Sequence, residues 1–219
     1  MRNDYKLIIF DMDGTILDTL DDLYYAVNAS LKNCGYPART KEEVKAFTGK
    51  GLRYLIECSM PKNADNAAID AVMGFFIDYY AVHSSDYTRP YDGIIETLSA
   101  LKNAGYLLAV LSNKKHRAVM DLCRVYFDGS FDYILGGVDG MKLKPDPDGI
   151  ERILEVAELN KSDALMVGDS EIDIMTGYNA NIDVVGVSYG FRDRSVLEDL
   201  GVKNIITKPT ELLELMNIK

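Results

Sequence analysis

Only three cysteines occur among 219 residues, at Cys34, Cys58 and Cys123. They are odd in number, widely spaced and without a C-x-x-C pair, which suits buried thiols in a reducing compartment better than a disulfide framework or a zinc site. Basic residues are also scarce, at 24 Lys+Arg against 34 Asp+Glu and a formal charge of −10. Such a chain is a poor non-specific ligand for nucleic acid or an anionic membrane. Long hydrophobic runs are missing too. The N-terminal apolar run stops at Asp11, too soon for a signal-peptide core, and the stretch from Ala67 to Val82 is broken by Asp70 and Asp78. No repeat, low-complexity tract or long linker interrupts the chain. A cytoplasmic protein with no membrane or nucleic-acid partner is expected, as a monomer or homodimer.

What is present suits a full core. Hydrophobic residues make up 47% and charged residues 26%, and a chain of this length buries roughly 70% of its unfolded surface. Residues 5–10 have the length and composition of a buried strand. Helical spacing then dominates: Leu20, Leu23, Val27 and Leu31 are followed by helical stretches ending near Phe47, over 52–58 and over 64–80. A break at 84–90 precedes alternating elements, with strands expected at 107–111, 133–135, 164–167, 184–187 and 204–206. Near-continuous apolar strands alternating with helices predict a doubly wound (Rossmann-like) α/β parallel sheet. The expected division is a core of residues 1–15 plus 86–219, with a small helical cap of residues 16–85.

Ligands in such sheets bind beyond the carboxyl ends of the strands, where strand order reverses. Asp11, Ser112 and Asp169 each follow a strand. Asp11-Met12-Asp13-Gly14-Thr15 places two carboxylates two residues apart, with Gly14 allowing close backbone approach. Two such acids can divide the roles of nucleophile and proton donor, or hold a hard cation, or form a solvated turn. A calcium loop fits badly, because Gly14 stands at its fourth position instead of its sixth. Ser112 and Asn113 can receive a phosphate oxygen or merely cap a helix. Lys144, in Lys142-Leu143-Lys144-Pro145, offers a compact cation for a phosphoryl oxygen or a carboxylate, while Lys142 is expected to be solvated. Gly168-Asp169-Ser170-Glu171-Ile172-Asp173 adds carboxylates sufficient for Mg²⁺, or an acidic first helix turn. Walker-type and dinucleotide-binding glycine loops are absent, as is the G-x-S-x-G of serine hydrolases.

These four segments, in this order, resemble the haloacid dehalogenase superfamily. Asp11 to Thr15 is similar to its D-x-D-x-T motif, Ser112 to its strand-end Ser/Thr, Lys144 to its K-P-x-P lysine, and Gly168 to Asp173 to its G-D-x-x-x-D. The resemblance spans nearly the whole chain and is closest to the phosphoglycolate-phosphatase-like branch. It implies a Mg²⁺-dependent phosphatase of small phosphorylated metabolites. Asp11 would be the nucleophile that forms an aspartyl-phosphate, and Asp13 the acid and then the base. The metal would be held by Asp11, the Asp13 carbonyl and Asp169, the phosphoryl oxygens by Ser112 and Lys144, with Asp173 supporting from behind. Gly14, Thr15 and Asn113 are expected at the substrate, and Lys50 and Arg53 of the cap either read its distal group or are solvated. Tyr24, Tyr25, Tyr79 and Tyr80 are expected mainly to pack the cap. The β-phosphoglucomutase-like branch also resembles the chain and shares Lys50-Gly51-x-x-Arg53. It places a histidine twelve positions after its nucleophile, however, where this chain has Leu23. A non-catalytic phosphate binder would have no need of Asp13.

Overall fold

A computed structural model describes residues 4–218. Its centre is a four-residue strand, β1 (Leu7–Phe10), in which every side chain is buried. Two more strands flank it, β4 (Leu107–Lys115) and β6 (Ala164–Gly168), and both run parallel to it. Beyond these lie β5 (Tyr133–Gly137) on one side, and β7 (Asp183–Val187) and β8 (Ile205–Ile206) on the other. The sheet order is β5-β4-β1-β6-β7-β8.

A parallel sheet must be covered on both faces, and the period of two along each strand divides the core accordingly. Ile8, Phe10, Leu108, Val110, Leu165 and Val167 pack on one face against α5 (Ile94–Asn103), α6 (His116–Tyr126) and α10 (Glu211–Leu215). Leu7, Ile9, Ala109, Leu111, Ala164 and Met166 pack on the other against α7 (Asp148–Ala157), α8 (Glu171–Ala180) and α9 (Arg194–Asp199). The chain builds outward from β1 through β4 to β5, then returns to the opposite side of β1 as β6. Strand order therefore reverses at β1, and the crevice opens beyond its carboxyl end, where Asp11 begins.

Four helices lie between β1 and β4: α1 (Leu20–Asn33), α2 (Lys41–Phe47), α3 (Leu52–Ser59) and α4 (Asn66–His83). They enclose an apolar cluster of their own, including Val27, Leu31, Val44, Ile56 and Val72, each fully buried. Their ends are set locally. Thr40 and Glu43 form a reciprocal capping box on α2, and the Asp65 carboxylate accepts the Ala68 N–H at the start of α4. The chain enters and leaves this insert through an antiparallel pair, β2 (Leu17–Asp18) and β3 (Arg89–Pro90), in which Leu17 faces Pro90. Buried Asp22 fixes the return, accepting the Tyr87 and Thr88 backbone N–H groups at 3.0 and 2.8 Å.

One boundary differs from expectation with consequences for the site. The strand expected over 107–111 runs on as β4 to Lys115, which pairs with Gly137 of β5, so that the next helix begins only at His116. Ser112 and Asn113 are thus part of a strand and cap no helix. Among the described residues no helix is long and apolar enough to cross a membrane, and all three cysteines are free.

Candidate active site

The backbone turns sharply after β1. The Met12 carbonyl accepts from the N–H groups of Thr15, Ile16 and Leu17, and Gly14 takes φ +90°. A Cβ at Gly14 would stand 2.5 Å from Asp169 Oδ2. Glycine is needed here for its conformation and for the close approach of Asp169. Asp169 follows β6, the neighbour of β1, and is fixed by the Phe191 N–H at 2.7 Å and the Thr15 hydroxyl at 3.3 Å. Thr15 therefore orients a carboxylate and does not face the cavity.

Lys144 joins the acids. Its Nζ lies 2.6 Å from Asp11 Oδ1 and 2.6 Å from Asp173 Oδ1, with all three side chains at most 10% exposed. Asp173 uses its second oxygen to accept the Ser170 N–H and hydroxyl, so one carboxylate both caps α8 and holds the lysine. Asn113 clamps the lysine backbone: its Oδ1 accepts the Lys144 N–H at 2.7 Å, and its Nδ2 donates to the Lys144 carbonyl at 2.8 Å and the Gly49 carbonyl at 2.9 Å. Both ends of the Asn113 amide are thus engaged in holding the Lys144 backbone and Gly49 of the insert, and Asn113 also lines the cavity over the site. Lys142 is exposed and pairs with Asp146, as expected of a solvated lysine.

Carboxylate oxygens of Asp11, Asp169 and Asp173 lie within 4.8 Å of one another, all buried. Desolvation, then the neighbouring Asp173 charge, raises both Asp11 and Asp169, Asp169 to about 7. Burial pulls Lys144 down, but Asp11 and Asp173 more than offset this and hold it protonated. A desolvated all-oxygen donor set of this kind fits a hard divalent cation such as Mg²⁺. The Asp13 carboxylate is turned elsewhere, accepting the Thr19 hydroxyl at 2.6 Å and lying 3.1 Å from Lys114 Nζ.

A cavity of about 290 Å³ lies over these groups, with Ser112, Lys114 and Asp13 in its wall and Gly49, Leu55, Phe76 and Tyr80 of the insert opposite. Arg192 ties the insert down: its guanidinium donates to the carbonyls of Lys45 and Thr48 and pairs with Glu171 at 3.0 Å. The insert cations Lys50 and Arg53 stand apart from the cavity. Arg53 pairs with Glu57 and Asp70 and donates to Asn66, all within the insert, while Lys50 lies over the Tyr54 ring; neither lines the cavity. Acidic neighbours on α3 and α4 neutralise Arg53 where it stands. Of the four tyrosines, Tyr80 alone reaches the cavity, and burial pushes its hydroxyl up to about 12.

Lys114 is the residue that sequence reasoning overlooked. A strand ending at Leu111 leaves it out, whereas the longer β4 puts Ser112 and Lys114, two positions apart, on one side of the strand. Continuing the strand past Ser112 would have found it.

Comparison with known proteins agrees with this geometry. The model of the haloacid dehalogenase-like hydrolases matches residues 8–187. A phosphoglycolate phosphatase of Psychrobacter arcticus is 34% identical over 196 residues, covering 86% of this chain and 85% of that protein. One from Vibrio parahaemolyticus is 31% identical and covers 99% and 98%. The crystal structure of a predicted phosphoglycolate phosphatase from Haemophilus somnus superposes with a TM-score of 0.91 at 29% identity, covering 97% and 98%. The protein is an enzyme, a phosphoric monoester hydrolase. The four motif segments, the doubly wound sheet and the helical insert after β1 have one common explanation: the chain belongs to the haloacid dehalogenase-like hydrolases, in their phosphoglycolate-phosphatase-like branch.

Proposed function

We propose that this phosphatase is Mg²⁺-dependent, hydrolyses small phosphorylated metabolites through an aspartyl-phosphate on Asp11, and has 2-phosphoglycolate as the first substrate to test. One observation carries the reading: Asp11 meets Asp169, Asp173 and Lys144 in a single buried cluster at the switch point of the sheet. In the first half-reaction an Asp11 oxygen attacks phosphorus and the bond to the leaving oxygen breaks. Asp13 gives its proton to that oxygen. In the second, Asp13 takes a proton from water, whose oxygen attacks phosphorus and frees Asp11 and inorganic phosphate. The Lys144 ammonium and Ser112 hydroxyl grip the non-bridging phosphoryl oxygens. Mg²⁺, held by Asp11, Asp169 and the Asp13 carbonyl, would neutralise phosphoryl charge beside the carboxylates. Helices α1–α4 serve as a cap that closes the cavity from above.

The test is release of phosphate from 2-phosphoglycolate and from p-nitrophenyl phosphate. Turnover is expected with Mg²⁺, falling at least about 100-fold on chelation and returning when Mg²⁺ is restored. Turnover that survives chelation would remove the metal from the reading. Interconversion of sugar phosphates without net release would favour a mutase, against which the apolar Leu23 in the cavity wall stands.

Gly14→Ala tests the same centre from the backbone side. The added methyl must displace Asp169, whose position the Thr15 hydroxyl and Phe191 N–H define. Phosphatase activity is expected to fall about 100-fold or more, since small misplacements of catalytic groups are costly. Activity within threefold of wild type would show that the placement of Asp169 is unimportant.

A further inference from the structure

We infer that Lys114, together with the Tyr80 hydroxyl, is the recognition site for a carboxylate on the leaving fragment of the substrate, so that the enzyme selects phosphorylated small acids over neutral phosphate esters. The inference rests on the proposed role of Asp13. If Asp13 protonates the leaving oxygen, the leaving fragment lies against Asp13, and Lys114 Nζ is 3.1 Å from that carboxylate. In a two-carbon acid the carboxyl carbon is two bonds from the ester oxygen, so a group that borders Asp13 also borders the substrate's second charge.

The other cations of the cavity are committed or remote. Lys144, held by Asp11 and Asp173, is directed at the phosphoryl group in the reading above. Arg192 is taken up by Glu171 and by carbonyls of the insert. Lys115 and Arg117 are exposed at the rim. Lys114 is the buried one that faces the leaving side, with a side chain 8% exposed. Of its three N–H groups, one is directed at Asp13 and one is donated to the Tyr80 hydroxyl at 3.0 Å. The third has no acceptor among the described residues and remains for a ligand.

Tyr80 points the same way. Its oxygen accepts from Lys114, and its own proton has no acceptor among the described residues. The ammonium also lies 4.7 Å from the Tyr80 ring centre, which fixes the two side chains as a pair. Tyr80 comes from α4 and Lys114 from β4, so the pair forms only when insert and sheet are together. The surrounding wall, with Leu55, Phe76 and Ala81, is apolar. A carboxylate there finds one cation and one hydroxyl donor in a medium that strengthens both. A neutral hydroxyl in the same place lacks the second acceptor oxygen and the negative charge that would meet both donors, and sites of that kind discriminate strongly.

Two esters that differ only in this group make the test: 2-phosphoglycolate and 2-hydroxyethyl phosphate. The wild-type enzyme is expected to favour the acid in kcat/KM by about 100-fold or more. Lys114→Met should bring that preference to within about threefold of unity, chiefly through KM of the acid, and Lys114→Arg should restore part of it. Tyr80→Phe should lower the preference about fivefold. If Lys114 only positions Asp13, Lys114→Met will slow both esters by one factor and leave the preference intact, which overturns the inference; so does a wild-type enzyme without preference. Should Lys114→Met fail to fold, Tyr80→Phe decides, since an unaltered preference excludes the pair. Phosphate release from neither ester would instead overturn the phosphatase reading itself.

Discussion

Asp11→Asn is expected to abolish phosphate release, with a loss on the order of 10⁴-fold or more, as when a covalent nucleophile is removed. The amide keeps the size of the side chain and one oxygen toward Lys144, but cannot attack phosphorus as a carboxylate does. The fold should survive. Lys144 retains Asp173 at 2.6 Å, and the charge removed is one that burial and Asp173 already disfavour. Thermal unfolding followed by circular dichroism should therefore stay within a few degrees of wild type. Activity within tenfold of wild type would take the nucleophile's role away from Asp11. An acid-stable, enzyme-bound phosphate on another residue would do the same.

Lys144→Ala should be nearly as damaging, for a different reason. The lysine is the cation shared by Asp11 and Asp173, and its removal leaves buried carboxylates facing one another. Removing one member of a buried ion pair costs about 3–5 kcal/mol. At about 2–4 °C per kcal/mol for a chain of this size, the melting temperature should fall by roughly 6–20 °C. Mg²⁺ should recover part of that loss by supplying another positive charge, and kcat should remain depressed at least about 10³-fold. Lys142→Ala is the matched control two positions away. Its side chain is 76% exposed and its pairing with Asp146 is worth little, so both stability and activity should be close to wild type. A silent Lys144→Ala beside a severe Lys142→Ala would mean that the wrong lysine had been chosen.

The strands were legible because the middle of a parallel sheet demands unbroken apolar runs, and Leu7–Phe10, Leu108–Leu111 and Ala164–Val167 supply them. Their carboxyl ends located Asp11, Ser112 and Asp169, since strand ends in a doubly wound sheet converge. Residues whose placement depends on a tertiary partner were harder to read. The pairing of Arg53 with Asp70 of α4, which neutralises it together with Glu57, is one such placement. The hold of the Asn113 amide on Lys144 and Gly49 joins partners distant in sequence and left no local signal. Lys114 was hidden by a boundary: with polar Ser-Asn-Lys-Lys after an apolar run, local pattern ends the strand early, whereas pairing with β5 prolongs it. Arg192 had no local signal, because the carbonyls it holds are almost 150 positions away in sequence.

The β2–β3 ribbon places Leu17 opposite Pro90 and Asp18 opposite Arg89. Whatever length of polypeptide intervenes, its two ends are brought side by side, so the entropy of closing that loop rises only slowly as residues are added. The sheet is consequently indifferent to the size of what it carries at this point. A smaller or larger helical unit could be spliced between positions 18 and 89 without redesigning the strands beneath, which makes this junction the natural seam for grafting a new substrate preference onto an unchanged chemical centre.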